Sequence, residues 1–263
     1  MRHVEQFSRE LAHLYGYGEV ITPVVESYDL LAAKAGEEIR ERMYAFKDFG
    51  GRNVALRPEF TASVARLVAT KLRNEPKPMR LFSVGSLYRY DEPQYGRFRE
   101  FWQANYELFG SDKPEADAEI LLLTNDLLMR LGLCNYRLKI GHMGIIRGIL
   151  GQEGLDEGQQ NSIMQLLDKK RWEEALTAAR NADASQNCLK TLKKVFEIKG
   201  KDAFRVIKTA EESVQDFENA VAAVENLREI LELTGESGVK LEVMIEAGFA
   251  SVQNCSGNEG LSA

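Results

Sequence analysis

The sequence predicts an α+β fold, an antiparallel sheet flanked by helices with a separate helical lobe after it. Three observations carry this reading. Two strand patterns of about ten residues, 80–90 and 99–109, flank one polar loop. Helical apolar spacing brackets them on both sides. From about 153 to 235 helical patterns follow one another with no convincing strand.

Residues 3–15 carry Val4, Phe7, Leu11 and Leu14 at helical spacing, and Gly16 to Gly18 ends that helix. Val20 to Pro23 reads as a short strand stopped by proline. A second helix covers about 28–42. A hairpin follows, with strands 43–48 and 53–57 around Phe49-Gly50-Gly51-Arg52. Residues 61–73 form a helix with Val64, Leu67, Val68 and Leu72 on one face, and Pro76 and Pro78 break the chain before the long strands. A helix over 115–131, capped at Asp112 or Ser111, leads to a strand at 136–141.

The later patterns are Ile163/Leu166/Leu167, Trp172/Leu176, Leu189/Leu192/Phe196 and Phe217/Val221/Val224/Leu227/Leu231. The expected domains are therefore a core over 1–150, a helical insertion domain over 151–235, and a last segment, 236–263. That last segment holds a strand at 239–245 and a loose tail from Glu246.

Composition narrows the function classes without choosing one. The longest apolar stretch, around Ile120 to Leu123, is too short to span a bilayer, and the N-terminus has no signal-peptide pattern. Cys134, Cys188 and Cys255 form no CxxC pair, and three histidines give no metal-ligand spacing. A cytoplasmic location and no protein-bound metal are expected. The net charge of −6 leaves no overall footprint of a nucleic-acid binder, though a local basic stripe can sit on an acidic protein.

Chemistry concentrates on the second long strand. Its even positions, Trp102, Ala104, Tyr106 and Leu108, suit packing; its odd positions are Arg99, Phe101, Gln103, Asn105 and Glu107. Polar groups in a row need water or a ligand, because burying one unpaired costs about 1–3 kcal/mol. Arg89, Arg97 and Arg99 gather at one end, and guanidinium forks match phosphate and carboxylate. Such a face suits a ligand with one anionic end and one cationic or hydrogen-bonding end. A solvated sheet face, with the arginines paired to Asp91, Glu92 and Glu100, accounts for the same residues.

The segment YRYDEPQYGRFREFWQANYELFGSDKPEADAE, from Tyr88 to Glu119, resembles motif 2 of histidine–tRNA ligases, especially the archaeal type. LRPEFTASVAR, from Leu56 to Arg66, resembles their Arg-Pro-Glu-x-Thr element, and GYGEVITPVVE, from Gly16 to Glu26, resembles their motif 1. The resemblance covers roughly residues 1–150 and implies a class II aminoacyl-tRNA synthetase fold. It implies that Glu59 contacts the substrate α-amino group, with Thr61 beside it. It implies that Arg89 holds the ATP α-phosphate as the catalytic residue, and that Arg97 and Arg99 also bind ATP. Gln103 and Glu107 would line the histidine pocket, Glu107 pairing with the imidazole. Mg2+ would accompany ATP. L-histidine and tRNA(His) would be the other partners, and motif 1 would form a homodimer around Pro23.

The chain departs from that pattern in two places. It starts after the Gly-Thr-x-Asp segment that helps wall the pocket. Where the family has Arg-Gly-Leu-x-Tyr-Tyr-Thr-Gly, with a catalytic arginine, this sequence reads AGFASVQN from Ala247 to Asn254. Motif 3 and the anticodon-binding domain are not in it, and a shifted reading frame near 246 would explain the abrupt change. The expectation is a catalytic-domain fragment, weak or inactive as a ligase. The alternative is a histidine-sensing regulatory subunit of ATP phosphoribosyltransferase, a branch that has Asp where Glu59 stands, or another non-catalytic paralogue that uses the fold to dimerise.

Overall fold

The computed structural model describes every residue except 1, 34, 93–96, 134–135, 201, 236–240, 245–250 and 255–263. The chain divides into two compact units, Met1–Asp112 and Lys113–Ala263. Helix 114–130, strand 136–140 and helix 143–152, which the sequence reading grouped with the first 150 residues, lie in the second unit.

The first unit opens with α1 (Arg2–Leu14), which buries Ser8, Leu11 and Ala12, and β1 (Gly18–Glu19) follows. The strand expected over Val20 to Pro23 is not formed there: β1 ends at Glu19 before it, and strand β2 (Val25–Ser27) follows Pro23. Proline cannot donate to a ladder, so the pairing that starts at β1 ends with the Val20 amide donating to the Phe82 carbonyl at 2.7 Å. The helix expected over 28–42 is two short ones, α2 (Tyr28–Ala32) and α3 (Glu37–Glu41), with Gly36 extended between them as the cap of the second. Strands β3 (Ala45–Lys47) and β4 (Asn53–Leu56) form the expected hairpin, its turn using Gly51 at φ +77°. Helix α4 (Thr61–Thr70) leads to β5 (Met79–Tyr88) and β6 (Glu100–Phe109).

Two three-stranded sheets result. In one the order is β2-β4-β3, and Ala55 is buried beneath it with Leu31 and Met43. In the other the order is β1-β5-β6, so β5 is central and β6 lies at an edge among the described residues. The β5–β6 pair is antiparallel throughout, from Met79 opposite Phe109 to Tyr88 opposite Glu100, whereas β1 runs parallel to β5. Leu81 and Leu87 pack on Phe60 and Val64, which seats α4 against this sheet.

The second unit begins at α5 (Pro114–Arg130). Its N-cap is Lys113, without a side-chain bond, and not Asp112 or Ser111; Pro114 at the first turn starts the helix instead. Strand β7 (Tyr136–Ile140) is followed by α6 (Met143–Gln152), which the sequence reading passed over. Helices α7 (Glu157–Asp168), α8 (Trp172–Asn181), α9 (Gln186–Glu197), α10 (Ala203–Val214) and α11 (Glu218–Gly235) form the helical lobe, with a two-residue strand β8 (Lys199–Gly200) between α9 and α10. One continuous apolar cluster runs from Ile140 through Leu150, Leu192 and Ile207 to Leu231. Strand β9 (Leu241–Met244) falls within the expected 239–245. Strand β10 (Ser251–Asn254) lies where a loose tail was expected, pairing antiparallel with β7; backbone pairing needs no side-chain periodicity. The rest of that tail lies outside the described residues.

Candidate functional site

The site is built on one face of the β5–β6 pair. Residues directly opposite in an antiparallel ladder put their side chains on the same side. The rows on this face are Leu81 with Glu107, Ser83 with Asn105, Gly85 with Gln103 and Leu87 with Phe101. Leu81 and Leu87 on β5 against Gln103, Asn105 and Glu107 on β6 make the face mainly apolar on one strand and mainly polar on the other. Its β5 half packs on α4, and its β6 half leaves Gln103 and Glu107 partly in solvent. The opposite face is only half used for packing, since Trp102 stays 43% exposed while Tyr106 donates to the Ser8 carbonyl of α1.

Glu59 enters from the corner between β4 and α4. The Ala62 amide at the start of α4 favours its ionised form. Burial raises its pKa above the ordinary glutamate value, Arg89 opposes that shift, and Glu107 adds to it. Glu59, Arg89 and Glu107 therefore share one electrostatic neighbourhood, although they come from three different elements. Arg89, just past β5, donates from Nε to the Pro58 carbonyl at 3.0 Å and lies 5.0 Å from the Phe101 ring centre. Its backbone amide is held by the Arg99 carbonyl at 3.0 Å. Glu107 accepts from Asn105 Nδ2 at 3.0 Å, which leaves carboxylate capacity for a ligand.

The other predicted residues are less engaged. Gln103 stands on the right face opposite Gly85, so no side chain covers it from β5. Thr61 is exposed at the first position of α4. Arg99 turns to Tyr90, 4.2 Å from its ring centre, and to the Asp91 carbonyl at 3.2 Å. Arg97 is exposed, and the loop before it, 93–96, lies outside the described residues. The acidic groups of the ion-pair alternative are turned elsewhere: the Asp91 carboxylate pairs with Arg42 at 3.0 Å, and Glu100 accepts from the Tyr88 hydroxyl. Sequence reasoning passed over Asn105 as the partner of Glu107, although both stand on the odd face it singled out. It also passed over Arg57, which is buried.

A family model described as histidyl-tRNA synthetase matches residues 1–252. The chain belongs to the histidyl-tRNA synthetase family. A histidine–tRNA ligase of Methanocaldococcus jannaschii is 41% identical over 252 residues, covering 94% of this chain and 59% of the relative. One from Saccharolobus islandicus is 39% identical, covering 95% and 58%. The chain thus spans a little under three fifths of these curated relatives. Among solved structures, a Bacillus halodurans protein titled as an ATP phosphoribosyltransferase regulatory subunit/histidyl-tRNA synthetase superposes with a TM-score of 0.80 at 22% identity, covering 97% of this chain and 68% of that one. A histidine–tRNA ligase subunit of Alicyclobacillus acidocaldarius gives 0.72 at 18% identity, covering 98% and 81%. The fold is that of class II histidyl-tRNA synthetases, with a sheet and surrounding helices as the sequence predicted.

Proposed function

We propose that this chain is the ATP- and histidine-binding catalytic portion of a cytoplasmic histidine–tRNA ligase. The observation that carries the reading is that Arg89 and Glu107 both act electrostatically on Glu59, with Glu107 on the ligand face of β6 and Arg89 at the end of β5. Together they supply a carboxylate for an α-ammonium, a guanidinium for a phosphate, and a second carboxylate for an imidazole. In the reaction, a histidine carboxylate oxygen forms a bond to the α-phosphorus of ATP while the bond to pyrophosphate breaks. Arg89 stabilises the charge developing on the α-phosphate, and Gln103 with Glu107 fixes the side chain being selected. Thr61 stands beside the ammonium, and Arg97 and Arg99 reach the outer phosphates. No three His, Cys, Asp or Glu side chains gather as a metal cradle among the described residues. Magnesium in this reading arrives with the nucleotide, held largely by its phosphates. tRNA(His) is the acceptor of the activated histidine.

The test is calorimetry with histidine and with ATP. Glu107→Ala weakens histidine by about 10-fold or more and leaves ATP unchanged, in line with about 1.5–3 kcal/mol for a charge-assisted hydrogen bond. Arg89→Ala does the reverse. Equal losses for both ligands in both variants would remove the division of roles.

A regulatory reading has one observation behind it, the likeness in fold to the B. halodurans protein and its title. Glu59 is glutamate here, not the aspartate expected of the regulatory branch, and that favours the ligase.

The same proposal includes a homodimer through the motif 1 region. On the β2-β4-β3 sheet, Val25, Leu56, Val54 and Phe46 share one face by register, opposite the face that buries Ala55. Val25 and Phe46 are 45% and 47% exposed, and Ile21 beside Pro23 is 92% exposed. An apolar sheet face of this kind fits a second copy of the chain.

A further inference from the structure

Arg57 stands two residues before Glu59 and is only 6% exposed. Among the described residues it has no carboxylate partner, which is unusual for a buried cation. Its fork is spent instead on neutral oxygens: Nη1 donates to the Thr22 carbonyl at 2.7 Å, and Nε donates to the Ser86 carbonyl at 3.1 Å. Its carbon Cζ lies 4.5 Å from the Phe60 ring centre. Its remaining nitrogen, Nη2, lies 3.0 Å from where a Cβ on Gly85 would stand. The guanidinium thus occupies the space in front of Gly85, in the same row of the sheet as Gln103.

The backbone around Arg57 is stitched to the same place. The Tyr88 amide donates to the Arg57 carbonyl at 3.1 Å, and Arg89 Nε donates to the Pro58 carbonyl at 3.0 Å. These hydrogen bonds fasten residues 57–58 to residue 22 and to residues 86–89. A lysine has one compact ammonium and cannot reach carbonyls on two sides with planar geometry.

We propose that Arg57 is a positioning residue of this site: its buried guanidinium ties the Pro58–Glu59 corner to the end of β5, and so fixes Glu59 and Arg89 relative to one another. The inference rests on the reading of this face as the ligand pocket. It adds a residue that touches no ligand and acts through two that do. Burial is the largest influence on the Glu59 carboxyl, so a corner released toward solvent has a Glu59 that ionises more readily.

The experiment follows the Glu59 carboxyl by carbon NMR through a pH titration of the full chain, the signal assigned by its loss in Glu59→Gln. In folded Arg57→Met the midpoint falls toward the ordinary glutamate value, and Arg57→Lys lies between that variant and wild type. An unmoved midpoint in folded Arg57→Met overturns the proposal, because a residue that only added stability would leave Glu59 where it is. Should Arg57→Met not fold, Gly85→Ala pushes on Nη2 while keeping every charge; a smaller fall supports the proposal and an unmoved midpoint overturns it. Calorimetry on the same variants adds a second readout, with histidine and ATP weakening together by about 10-fold, since misplacement of about 1 Å is costly at such sites. Absence of binding by the wild-type chain would sink the ligase reading alone, and the Glu59 titration would still decide the role of Arg57.

Discussion

Glu59 is half-buried, and burial outweighs the attraction of Arg89, so its carboxyl is held above the ordinary glutamate range. A carboxyl raised in the folded state ionises more easily in the unfolded one. Its contribution to stability is full below the unfolded value and is lost as pH rises through the folded value. Glu59→Gln is therefore more stable than wild type at neutral pH, and the difference closes in acid below the ordinary glutamate value. Urea midpoints at the two pH values check this. Coincident midpoints at neutral pH would show that the carboxylate is not strained by its place. The same substitution removes the negative charge proposed for the α-ammonium, so histidine binding falls while stability rises. Active sites commonly show that opposition.

At the scale of elements, α6 shows how close two helices can come when glycine permits it. His142 caps this helix, its Nδ1 accepting the Gly144 amide at 3.1 Å and its Nε2 facing Asn226 Oδ1 at 3.1 Å. A turn further on, a Cβ on Gly148 would lie 2.5 Å from the Ala220 backbone nitrogen at the start of α11. Backbone cannot move aside as a side-chain tip can. Gly148→Ala is therefore expected to cost about 1–3 kcal/mol, the range for overpacking. Gly151 lies in the same helix, but a Cβ there would meet only the Gln160 side chain at 3.6 Å. Gly151→Ala should gain up to about 1 kcal/mol from helix propensity. Denaturant titration of the two variants gives opposite signs; a loss of equal size in both would show that the α6–α11 approach is not the cause.

At the scale of the whole molecule, two expectations can be measured. Sedimentation at micromolar concentration should find a dimer, and Phe46→Asp should convert it to monomer by placing a charge on the apolar sheet face. A wild-type monomer would remove the dimer and leave the fold untouched. The second expectation is that the 263-residue chain runs histidine-dependent pyrophosphate exchange far more slowly than a full-length relative. The stretch from Ala247 to Asn254 lacks the arginine and tyrosines that the family resemblance leads one to expect there. Losing one preorganised donor to a developing charge costs about 100–1000-fold. Exchange near the full-length rate would show that other groups do that work.

Local signals were legible where period and punctuation agree. The β5–β6 pair was read to within about two residues because alternation over ten positions is hard to imitate. The candidate residues Gln103 and Glu107 followed from that alternation, and Asn105 stood between them. Helix α6 was passed over because its start is capped by histidine rather than Ser, Thr, Asp or Asn, and three glycines lower its propensity. The break between α2 and α3 was missed because apolar spacing continued across an extended Gly36.

By itself the sequence determined the class of fold, the long hairpin and the row of polar side chains along β6, all of which depend on neighbours within one strand or helix. Only the tertiary structure decided that Arg89, 30 positions further along the chain, and Glu107 would both come within electrostatic reach of Glu59, and that Arg57 would fill the space Gly85 leaves. Register and corner geometry set those meetings, and both arise from packing between segments far apart in sequence, which no local periodicity encodes.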